Sequence, residues 1–294
     1  MTDEFRPRRS VLYMPAANER ALEKAKSIAC DAIIFDLEDA VAPDAKPAAR
    51  ARAVDAVRAG EYGRRELTIR CNGLATPWGR DDLVAVGAAA PAAVVVPKVD
   101  SASYLDEVAA VLDTALDSGA AEPVPIWAMI ETPTAILDVR AIAAHPRVDV
   151  LIMGTNDLAR ELRAPLVKGR ANLMAHLATA LLAARAAGTA ALDGVYNDVG
   201  DADGFAAECR QGVELGFDGK TLIHPSQVEP ANRAWSPSDD EIELARRIID
   251  AYTEAEADGR GVVTVDGRMI EHLHVANARR TLAIAEAIRD LSSS

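Results

Sequence analysis

Aromatic residues are scarce in this sequence. They make up 4% of its 294 residues, although 50% of the residues are hydrophobic. Small aliphatic side chains in such excess favour helices packed on a sheet over an aromatic-rich β-sandwich. The length is sufficient for one barrel-sized domain, alone or with a small appendage.

Positive charge is also in short supply. The chain has 32 Lys and Arg against 45 Asp and Glu, which gives a formal net charge of −13. A surface of this charge disfavours contact with a phosphate backbone, so we expect no nucleic-acid partner. An anionic small molecule remains compatible, because a local group of arginines and backbone amides can bind it.

Cysteine and long apolar runs are the remaining deficits. Cys30, Cys71 and Cys209 are scattered and form no CxxC pair, which indicates reduced thiols and a cytoplasmic protein. The first ten residues contain no apolar signal core. No apolar run approaches the roughly 18 residues of a membrane span, so we expect no membrane partner.

Strand and helix patterns alternate eight times along the chain, and this predicts an α/β protein with a (β/α)8 TIM barrel over residues 1–235. The predicted strands are Val11–Met14, Ala32–Phe35, Leu67–Ile69, Ala93–Val96, Ile126–Ile130, Val148–Met153, Ala190–Leu192 and Lys220–Ile223. The clearest predicted helices are Glu19–Ala29, Pro47–Ala59, Asp81–Ala89, Tyr104–Asp117 and Gly204–Glu214.

A small C-terminal appendage of the form helix–hairpin–helix follows at residues 236–294. Its pattern predicts a helix over Ser238–Ala257, a hairpin over Gly261–Ile270 and a helix over Val275–Arg289. The Asp266-Gly267 pair is a strong hairpin-turn signal. Because the appendage is too short to fold alone, we expect it to pack on the barrel or on a neighbouring subunit.

Polar residues are concentrated where the predicted strands end, which is where enzymes with this barrel place their active sites. The residues at or just after the strand ends are Asp36, Glu38, Asp39, Arg70, Asn72, Lys98, Glu131, Asn156, Asp157, Asp193, Asn197, Asp198 and His224. This many acids in one cavity would repel one another unless a cation neutralised some of them.

Carboxylates without a Cys/His set indicate Mg²⁺, and we select Glu131 and Asp157 as its two ligands. The alternative is that Asp157 caps the following helix while Glu131 is a solvated loop acid. Glu38 and Asp39 have two readings as well. They form salt bridges to Lys46 or Arg50, or they contact the waters of the metal.

Arg70 ends a buried strand, and an unpaired guanidinium costs several kcal/mol to bury. Its partner is therefore either a protein acid, Asp36 or Glu38, or an anionic substrate group such as a carboxylate or an enolate. His224 precedes Pro225 in a turn and reads as a hydrogen-bonded structural residue or, alternatively, as a base.

Nine motifs in this order give the chain a resemblance to a known family. They are RRSVLYMPA (8–16), DAIIFDLEDAVAPDAKPAAR (31–50), IRCNG (69–73), VVVPKV (94–99), IETP (130–133), MGTNDLA (153–159), LDGVYND (192–198), GKTLIHPSQV (219–228) and DGRMIE (266–271). The chain resembles the citrate lyase beta subunit-like family of Mg²⁺-dependent CoA-ester lyases, which includes malyl-CoA and citramalyl-CoA lyases.

The resemblance implies retro-Claisen cleavage of a malyl-, citramalyl- or citryl-type 3-hydroxyacyl-CoA to an acyl-CoA and a 2-oxoacid, or the reverse condensation. Mg²⁺ would be held by Glu131 and Asp157, and Arg70 would stabilise the thioester enolate. Glu38 and Asp39 are expected to assist catalysis. The residues expected to bind substrate are Arg70, Asn72, Gly154, Thr155 and Asn156.

The C-terminal motif departs from the family pattern. Relatives often carry Asp in a GxMID-like motif, donated across a subunit interface as the acid/base, whereas this chain has Met269-Ile270-Glu271. Glu271 is the expected acid/base in the assembly that the family implies, a trimer-based homo-oligomer. Its alternative is an ordinary acid at a helix start.

Three other functions remain open. The first is a class II pyruvate-type aldolase acting on free 2-oxoacids, and the second is a lyase subunit that works only with an acyl-carrier partner. The third is a catalytically inactive CoA-binding protein.

Overall fold

Eight parallel strands, hydrogen-bonded in sequence order, close into a barrel in a computed structural model that describes residues 6–114 and 122–292. The predicted (β/α)8 barrel is confirmed. Its strands are β1 (Ser10–Pro15), β2 (Ala32–Asp36), β3 (Glu66–Arg70), β4 (Ala93–Val96), β5 (Ile126–Ile130), β6 (Val148–Met153), β7 (Ala190–Asp193) and β8 (Gly219–Leu222). Pairing of β1 with β8 closes the cylinder.

Helices follow the strands and cover the outside of the barrel. They are α1 (Glu19–Ala25), α2 (Lys46–Ala59), α3 (Gly79–Ala89), α4 (Ala102–Leu112), α5 (Pro133–Ala143), α6 (Thr155–Glu161), α7 (Met174–Ala187), α8 (Ala202–Leu215) and α9 (Val228–Ala234). The predicted helix Tyr104–Asp117 corresponds to α4, and its positions 115–117 lie outside the described residues.

Helix α1 ends at Ala25, four residues before the predicted end at Ala29. The guanidinium of Arg65 explains the early end. It donates hydrogen bonds to the carbonyl oxygens of Ala25, Lys26 and Ile28 at 2.7, 2.5 and 2.6 Å. These contacts satisfy carbonyls that a longer helix would have used internally.

Alternate residues of each strand point into the barrel, where they form its apolar core. Val11, Ile34, Val95, Trp127 and Ile152 are all fully or almost fully buried there. Because the strands are short and parallel, the inward residue at each carboxyl end faces a space that the core below does not fill. That space is where the polar strand ends meet.

A buried network of four charges lies between the barrel wall and α8. Lys220 of β8 donates to Asp193 Oδ2 at 3.0 Å and to Glu208 Oε1 at 2.8 Å. Arg170 completes the network through Asp193 Oδ1 at 2.5 Å and Glu208 Oε2 at 3.3 Å. The two cations and two anions balance one another. The Asp193 side chain therefore stabilises the barrel wall and is not among the described residues that line the cavity.

The described chain divides by its internal contacts into two compact units, and the barrel is the unit Arg8–Ala234. The second unit contains Arg6, Pro7 and the residues from Trp235 onward. Its helices are α10 (Asp239–Ala257) and α11 (His272–Ser292), with β9 (Val263–Val265) and β10 (Arg268–Ile270) between them. Its docking on the barrel or on a neighbouring subunit stays a prediction.

The predicted hairpin forms between β9 and β10, which pair in antiparallel register. Asp266 and Gly267 both have left-handed backbone angles, with φ of 50° and 76°, as a two-residue type I′ turn requires. The hairpin buries Ile270 against Tyr252 of α10 and Val275 of α11. Helix α11 begins at His272, three residues before the predicted start.

The three cysteines are free and buried. Within residues 6–114 and 122–292, no helix combines the length and the apolar character needed to cross a membrane.

Lys220→Met should destabilise the barrel by about 3–5 kcal/mol, because it leaves the two buried carboxylates of Asp193 and Glu208 with only one of the two cations that they share. Urea unfolding monitored by circular dichroism measures the change. As the matched control, Lys26→Met removes an exposed ion pair with Glu61 and should leave the unfolding midpoint unchanged. A Lys220→Met protein as stable as the parent would show that the network contributes nothing.

Candidate active site

A cavity of about 350 Å³ opens at the carboxyl ends of the strands. This is the edge of the barrel at which the sequence pattern places the polar strand ends. The cavity is lined by Tyr13, Pro15, Asp36, Asp39, Ala40, Arg70, Met129, Glu131, Met153, Gly154, Thr155, Asn156, Asp157, Val195, Thr221 and Ile223. It therefore brings together both predicted metal ligands and four of the five predicted substrate-binding residues, Arg70 among them.

Arg70 is held by Asp36 in a bidentate ion pair. Its Nε and Nη2 donate to Asp36 Oδ1 and Oδ2 at 2.6 and 2.7 Å. The two residues are direct register partners on β2 and β3, so they share one face of the sheet. Nη1 of Arg70 lies 2.9 Å from Glu38 Oε2 and 3.4 Å from Asp39 Oδ2. The pairing with Asp36 and Glu38, one of the two readings of Arg70, is thus present in the structure.

Asp36 also organises the loop that follows β2. Its carboxylate oxygens accept hydrogen bonds from the backbone N–H groups of Glu38 and Ala40 at 2.9 and 3.1 Å. With the two bonds from Arg70, this nearly inaccessible side chain accepts four hydrogen bonds. The same residue therefore fixes both the arginine and the loop that carries Glu38.

Glu131 follows β5, and its side chain is only 2% exposed. Oε1 accepts a hydrogen bond of 2.8 Å from the backbone N–H of Lys98. Lys98 reaches this position with φ of 50°, a left-handed angle that a non-glycine residue adopts at some energetic cost. A strained backbone thus aims a donor at the buried carboxylate.

Gly154, at the end of β6, makes room for the Glu131 side chain. A Cβ atom at position 154 would lie 2.3 Å from Glu131 Oε2 and 2.4 Å from Glu131 Cβ. Any other residue would push the carboxylate out of its position. The predicted substrate-binding residue Gly154 therefore lies in the cavity wall and contacts Glu131 directly.

Burial and neighbouring acids disfavour negative charge in this cavity. The pKa of Glu131 is raised to about 8, mainly by burial; the Lys98 N–H and Arg70 lower it, and the nearby carboxylates of Glu38 and Asp157 raise it. Burial likewise raises the pKa of Glu38 to about 7 against the lowering effect of Arg70. A cation bound between the acids would reverse this preference and favour the ionised carboxylates.

Asp157 lies in the first turn of α6, where Gly154 is the N-cap. Its Oδ1 is 2.5 Å from Arg160 Nη2, an exposed partner one turn further along. The alternative reading of Asp157 as the helix cap is therefore wrong. Within the described ranges no group of three or more His, Cys, Asp and Glu residues is arranged to hold a metal ion. Two carboxylates, Glu131 and Asp157, leave positions for water and substrate oxygens, which suits Mg²⁺.

Asn156 joins the start of α6 to the loop after β7. Its amide exchanges hydrogen bonds with the amide of Asn197, at 3.0 Å in one direction and 2.7 Å in the other. Asn156 itself lines the cavity. Thr155 packs closely against Gly194, where an added Cβ would lie 2.6 Å from Thr155 Oγ1.

Asn72 is buried and, in the part of the chain that the structure describes, is not among the residues lining the cavity. Its Nδ2 donates to Asp82 Oδ2 at 2.6 Å and to the carbonyl oxygen of Leu37 at 3.0 Å. Asn72 thus ties the ends of β2 and β3 to α3. Its expected contact with substrate stays a prediction.

The expected partners of Glu38 and Asp39 were wrong. Lys46 Nζ donates to the carbonyl oxygens of Leu37 and Glu38, at 2.8 and 2.9 Å. Arg50 instead pairs with Asp82 at 2.6 Å. In the described chain, Lys46 and Arg50 therefore do not contact the carboxylates of Glu38 or Asp39. The guanidinium that Glu38 contacts is that of Arg70.

His224 has the structural role that was one of its two readings. Its Nδ1 accepts a hydrogen bond of 3.2 Å from the backbone N–H of Ser226 and so caps the turn that begins at Pro225. Glu271 is exposed in the second unit and directly precedes α11. Its backbone N–H donates to His274 Nδ1 at 3.1 Å. Its role as an acid/base stays a prediction.

The sequence pattern placed Asp36 among the strand-end acids and named it as a possible partner of Arg70, because a buried arginine requires an acid, but it gave Asp36 no catalytic or binding role. Tyr13 was not assigned to the site, and its signal was weak. It is the last large inward side chain of β1, and an aromatic residue there reads as core. The apolar lining residues Val195 and Ile223 carried no signal of their own.

Comparison with known proteins identifies relatives over the whole chain. The model of the family described as HpcH/HpaI aldolase/citrate lyase matches residues 9–225. A (3S)-malyl-CoA thioesterase from Cereibacter sphaeroides is 50% identical over 294 residues, which is 100% of both chains. The citrate lyase subunit beta of Leuconostoc mesenteroides is 33% identical over 96% of this chain and 94% of its own.

A solved structure of CitE from Mycobacterium tuberculosis, in complex with magnesium, acetoacetate and coenzyme A, is also similar. It covers 94% of this chain and 97% of its own, with a TM-score of 0.76 and 31% sequence identity.

Glu131→Gln should stabilise the metal-free protein by about 1–3 kcal/mol near pH 8, because it removes an acid that is buried among other acids. The folded pKa of about 8 lies above the ordinary value of 4.5. The folded state therefore holds the proton more tightly than the unfolded state, and stability is lost as the pH rises between these values. The gain should be close to zero near about pH 4.5 and largest above about pH 8.

Urea unfolding with a chelator present, at both pH values, measures this difference. Glu214→Gln, which removes an exposed acid of α8, serves as the control and should have no effect. A Glu131→Gln protein that is less stable than the parent near pH 8 would contradict the prediction.

Proposed function

The chain belongs to the HpcH/HpaI aldolase/citrate lyase family, and from this premise we propose that it cleaves the carbon–carbon bond of a malyl-type 3-hydroxyacyl-CoA with the help of Mg²⁺. The products would be an acyl-CoA and a 2-oxoacid. The observation that carries the proposal is the fixed guanidinium of Arg70 in the same cavity as the buried carboxylate of Glu131.

Mg²⁺ fits the residues present. Glu131 and Asp157 would hold it, because both carboxylates line the cavity and the burial of Glu131 favours a compensating cation. The relative from Mycobacterium tuberculosis is in complex with magnesium and coenzyme A. When bound, the metal supplies positive charge that polarises the substrate oxygens it contacts.

Arg70 would stabilise negative charge on the thioester oxygen. Asp36 occupies one hydrogen each of Nε and Nη2, and Glu38 occupies one hydrogen of Nη1. One Nη2 hydrogen remains for a substrate, and the long 3.4 Å contact from Nη1 to Asp39 is readily replaced. Because Asp36 holds the guanidinium in place beforehand, little reorganisation is needed when the charge develops.

Bond cleavage requires two proton movements. The substrate hydroxyl passes its proton to a carboxylate that acts as the base, and it becomes the carbonyl of the 2-oxoacid while the carbon–carbon bond breaks. The electron pair passes to the thioester as an enolate, which then takes a proton at carbon. We propose Glu271 of a neighbouring subunit as the carboxylate that accepts the first proton and donates the second, in a trimer-based homo-oligomer whose C-terminal appendage, residues 236–294, makes the contact.

Hydrolysis of the thioester is the second candidate function, and the relative at 50% identity, a (3S)-malyl-CoA thioesterase, favours it. In that reaction water adds to the thioester carbonyl, and the carbon–sulphur bond breaks to give malate and free CoA. Arg70 would stabilise the oxyanion instead of an enolate. The substitution of Glu271 for the expected Asp also favours this alternative, because hydrolysis needs no proton donor at carbon.

Incubation of the purified protein with (3S)-malyl-CoA should distinguish the two reactions. We expect acetyl-CoA and glyoxylate, detected by mass spectrometry, in the presence of Mg²⁺ and not in the presence of a chelator. Malate and a free thiol would support hydrolysis instead. Asp157→Asn should weaken the binding of Mg²⁺, so that the Mg²⁺ concentration needed for half-maximal activity rises by about 10–100-fold. The proposal fails if neither pair of products forms.

Arg70→Lys should lower kcat by roughly 100–1,000-fold, because lysine keeps the charge but loses the bidentate pairing with Asp36. Steady-state kinetics with the same substrate measures the loss. Arg52→Lys, at an exposed pair with Glu19, is the matched control and should keep full activity. An Arg70→Lys enzyme with unchanged kcat would rule out charge stabilisation by this guanidinium.

A further inference from the structure

Tyr13 forms the floor of the cavity. The residue belongs to β1, and its hydroxyl lies 3.9 Å from Sδ of Met129 on β5. In a closed barrel of eight strands, β1 and β5 lie on opposite sides, so the phenol ring crosses the interior. One side of the ring packs on the apolar core of the barrel, and the residue also lines the cavity.

Arg70 lies over this ring. The distance from its guanidinium carbon to the ring centroid is 4.9 Å, a cation–π contact. The floor and the fixed cation are therefore in direct contact. The hydroxyl extends beyond them towards β5, where Met129 and Glu131 are two positions apart and share the inward face. It thus lies on the Glu131 side of the cavity.

The Tyr13 hydroxyl lacks a strong hydrogen-bond acceptor among the described residues. Met129 offers a thioether, which is a weak acceptor. Other tyrosines of the chain have better partners. The hydroxyl of Tyr62 donates to the carbonyl oxygen of Leu22 at 3.2 Å, and that of Tyr196 donates to Asp201 at 2.9 Å. Tyr13 is partly buried and lines the cavity, so its hydroxyl gains a stronger hydrogen bond when a ligand supplies an acceptor oxygen there.

Several other side-chain donors of the cavity are already engaged. Asn156 is paired with Asn197, and Thr221 Oγ1 donates to the carbonyl oxygen of Asp193 at 3.1 Å. Arg70 is largely occupied by Asp36 and Glu38. Most remaining polar groups of the lining are carboxylates, which repel an anionic ligand. A substrate carrying a carboxylate or hydroxyl oxygen therefore has few donors to meet, and Tyr13 is one of them.

We propose that Tyr13 is a substrate-contacting residue whose hydroxyl donates a hydrogen bond to an oxygen of the hydroxy-acid end of the substrate, beside Glu131. This inference rests on the proposed function and identifies which end of the thioester lies over the floor. The contact selects for ligands that carry an acceptor oxygen there, because an apolar group would leave the hydroxyl without an acceptor.

Tyr13→Phe tests the contact, since it keeps the ring and its packing under Arg70 and removes the hydroxyl alone. We expect kcat/KM for (3S)-malyl-CoA to fall by about 10–100-fold. The affinity for (3S)-malate with Mg²⁺, measured by calorimetry, should fall about 10-fold while the affinity for coenzyme A stays unchanged. The melting temperature should be unchanged or slightly raised.

Tyr62→Phe is the matched control, because its buried hydroxyl lies outside the cavity and is bonded to the protein. It should lower the melting temperature and leave kcat/KM intact, which is the opposite pattern. The unsubstituted enzyme could fail to turn over malyl-CoA while Tyr13→Phe still lowers the affinity for malate. In that case the proposed function fails and the contact between Tyr13 and the substrate stands.

Three results would overturn the proposal: kcat/KM and malate affinity of Tyr13→Phe within about two-fold of the parent, equal losses for malate and coenzyme A, or no malate binding by either protein.

Discussion

The bidentate pair of Asp36 and Arg70 is the interaction on which the remainder of the site depends. A guanidinium at the end of a buried strand requires an anionic partner, and the parallel register of β2 and β3 supplies it at the directly matching position. Once paired, Arg70 is held over Tyr13 and within reach of Glu38. One ion pair thus sets the position of a cation, the floor beneath it and the loop beside it.

Buried charged residues occur in two different arrangements in the barrel. In the wall between β8 and α8, Lys220, Arg170, Asp193 and Glu208 form a closed network whose charges balance. In the cavity, Glu131 has a backbone N–H as its donor and acidic neighbours around it. The first arrangement contributes to stability. The second opposes stability through repulsion between acids, which a bound cation would relieve, as is common where function conflicts with stability.

The fold and much of the site could be predicted from the sequence because both depend on local patterns. Apolar runs located the strands β4, β5 and β6 to the residue, and the rule that parallel strands end at one edge placed Glu131 and Asp157 together. The resemblance to the citrate lyase beta subunit-like family, read from motifs, is confirmed by the family match.

The direction of each side chain could not be predicted in the same way. Asp193 and Asp36 are both the last residues of their strands. Because side chains alternate between the two faces of a strand, Asp193 points outward, where it contacts Lys220, whereas Asp36 points into the cavity. Asn72 turns to Asp82 because α3 returns an acid to that position. Tyr13 reaches Met129 across the barrel only because closure brings β1 opposite β5. Each outcome depends on contacts between residues far apart in sequence, which local patterns do not encode.

The contact between Gly154 and Glu131 has a consequence for how this cavity can evolve. The space that a Cβ atom would occupy at position 154 is filled by the side chain of residue 131. The Cβ atom of residue 131 alone would lie 2.4 Å from it, so a shorter side chain at 131 does not free position 154. The glycine is therefore fixed by the backbone paths of two neighbouring strands, and it would be expected to persist in a lineage that had given up the carboxylate.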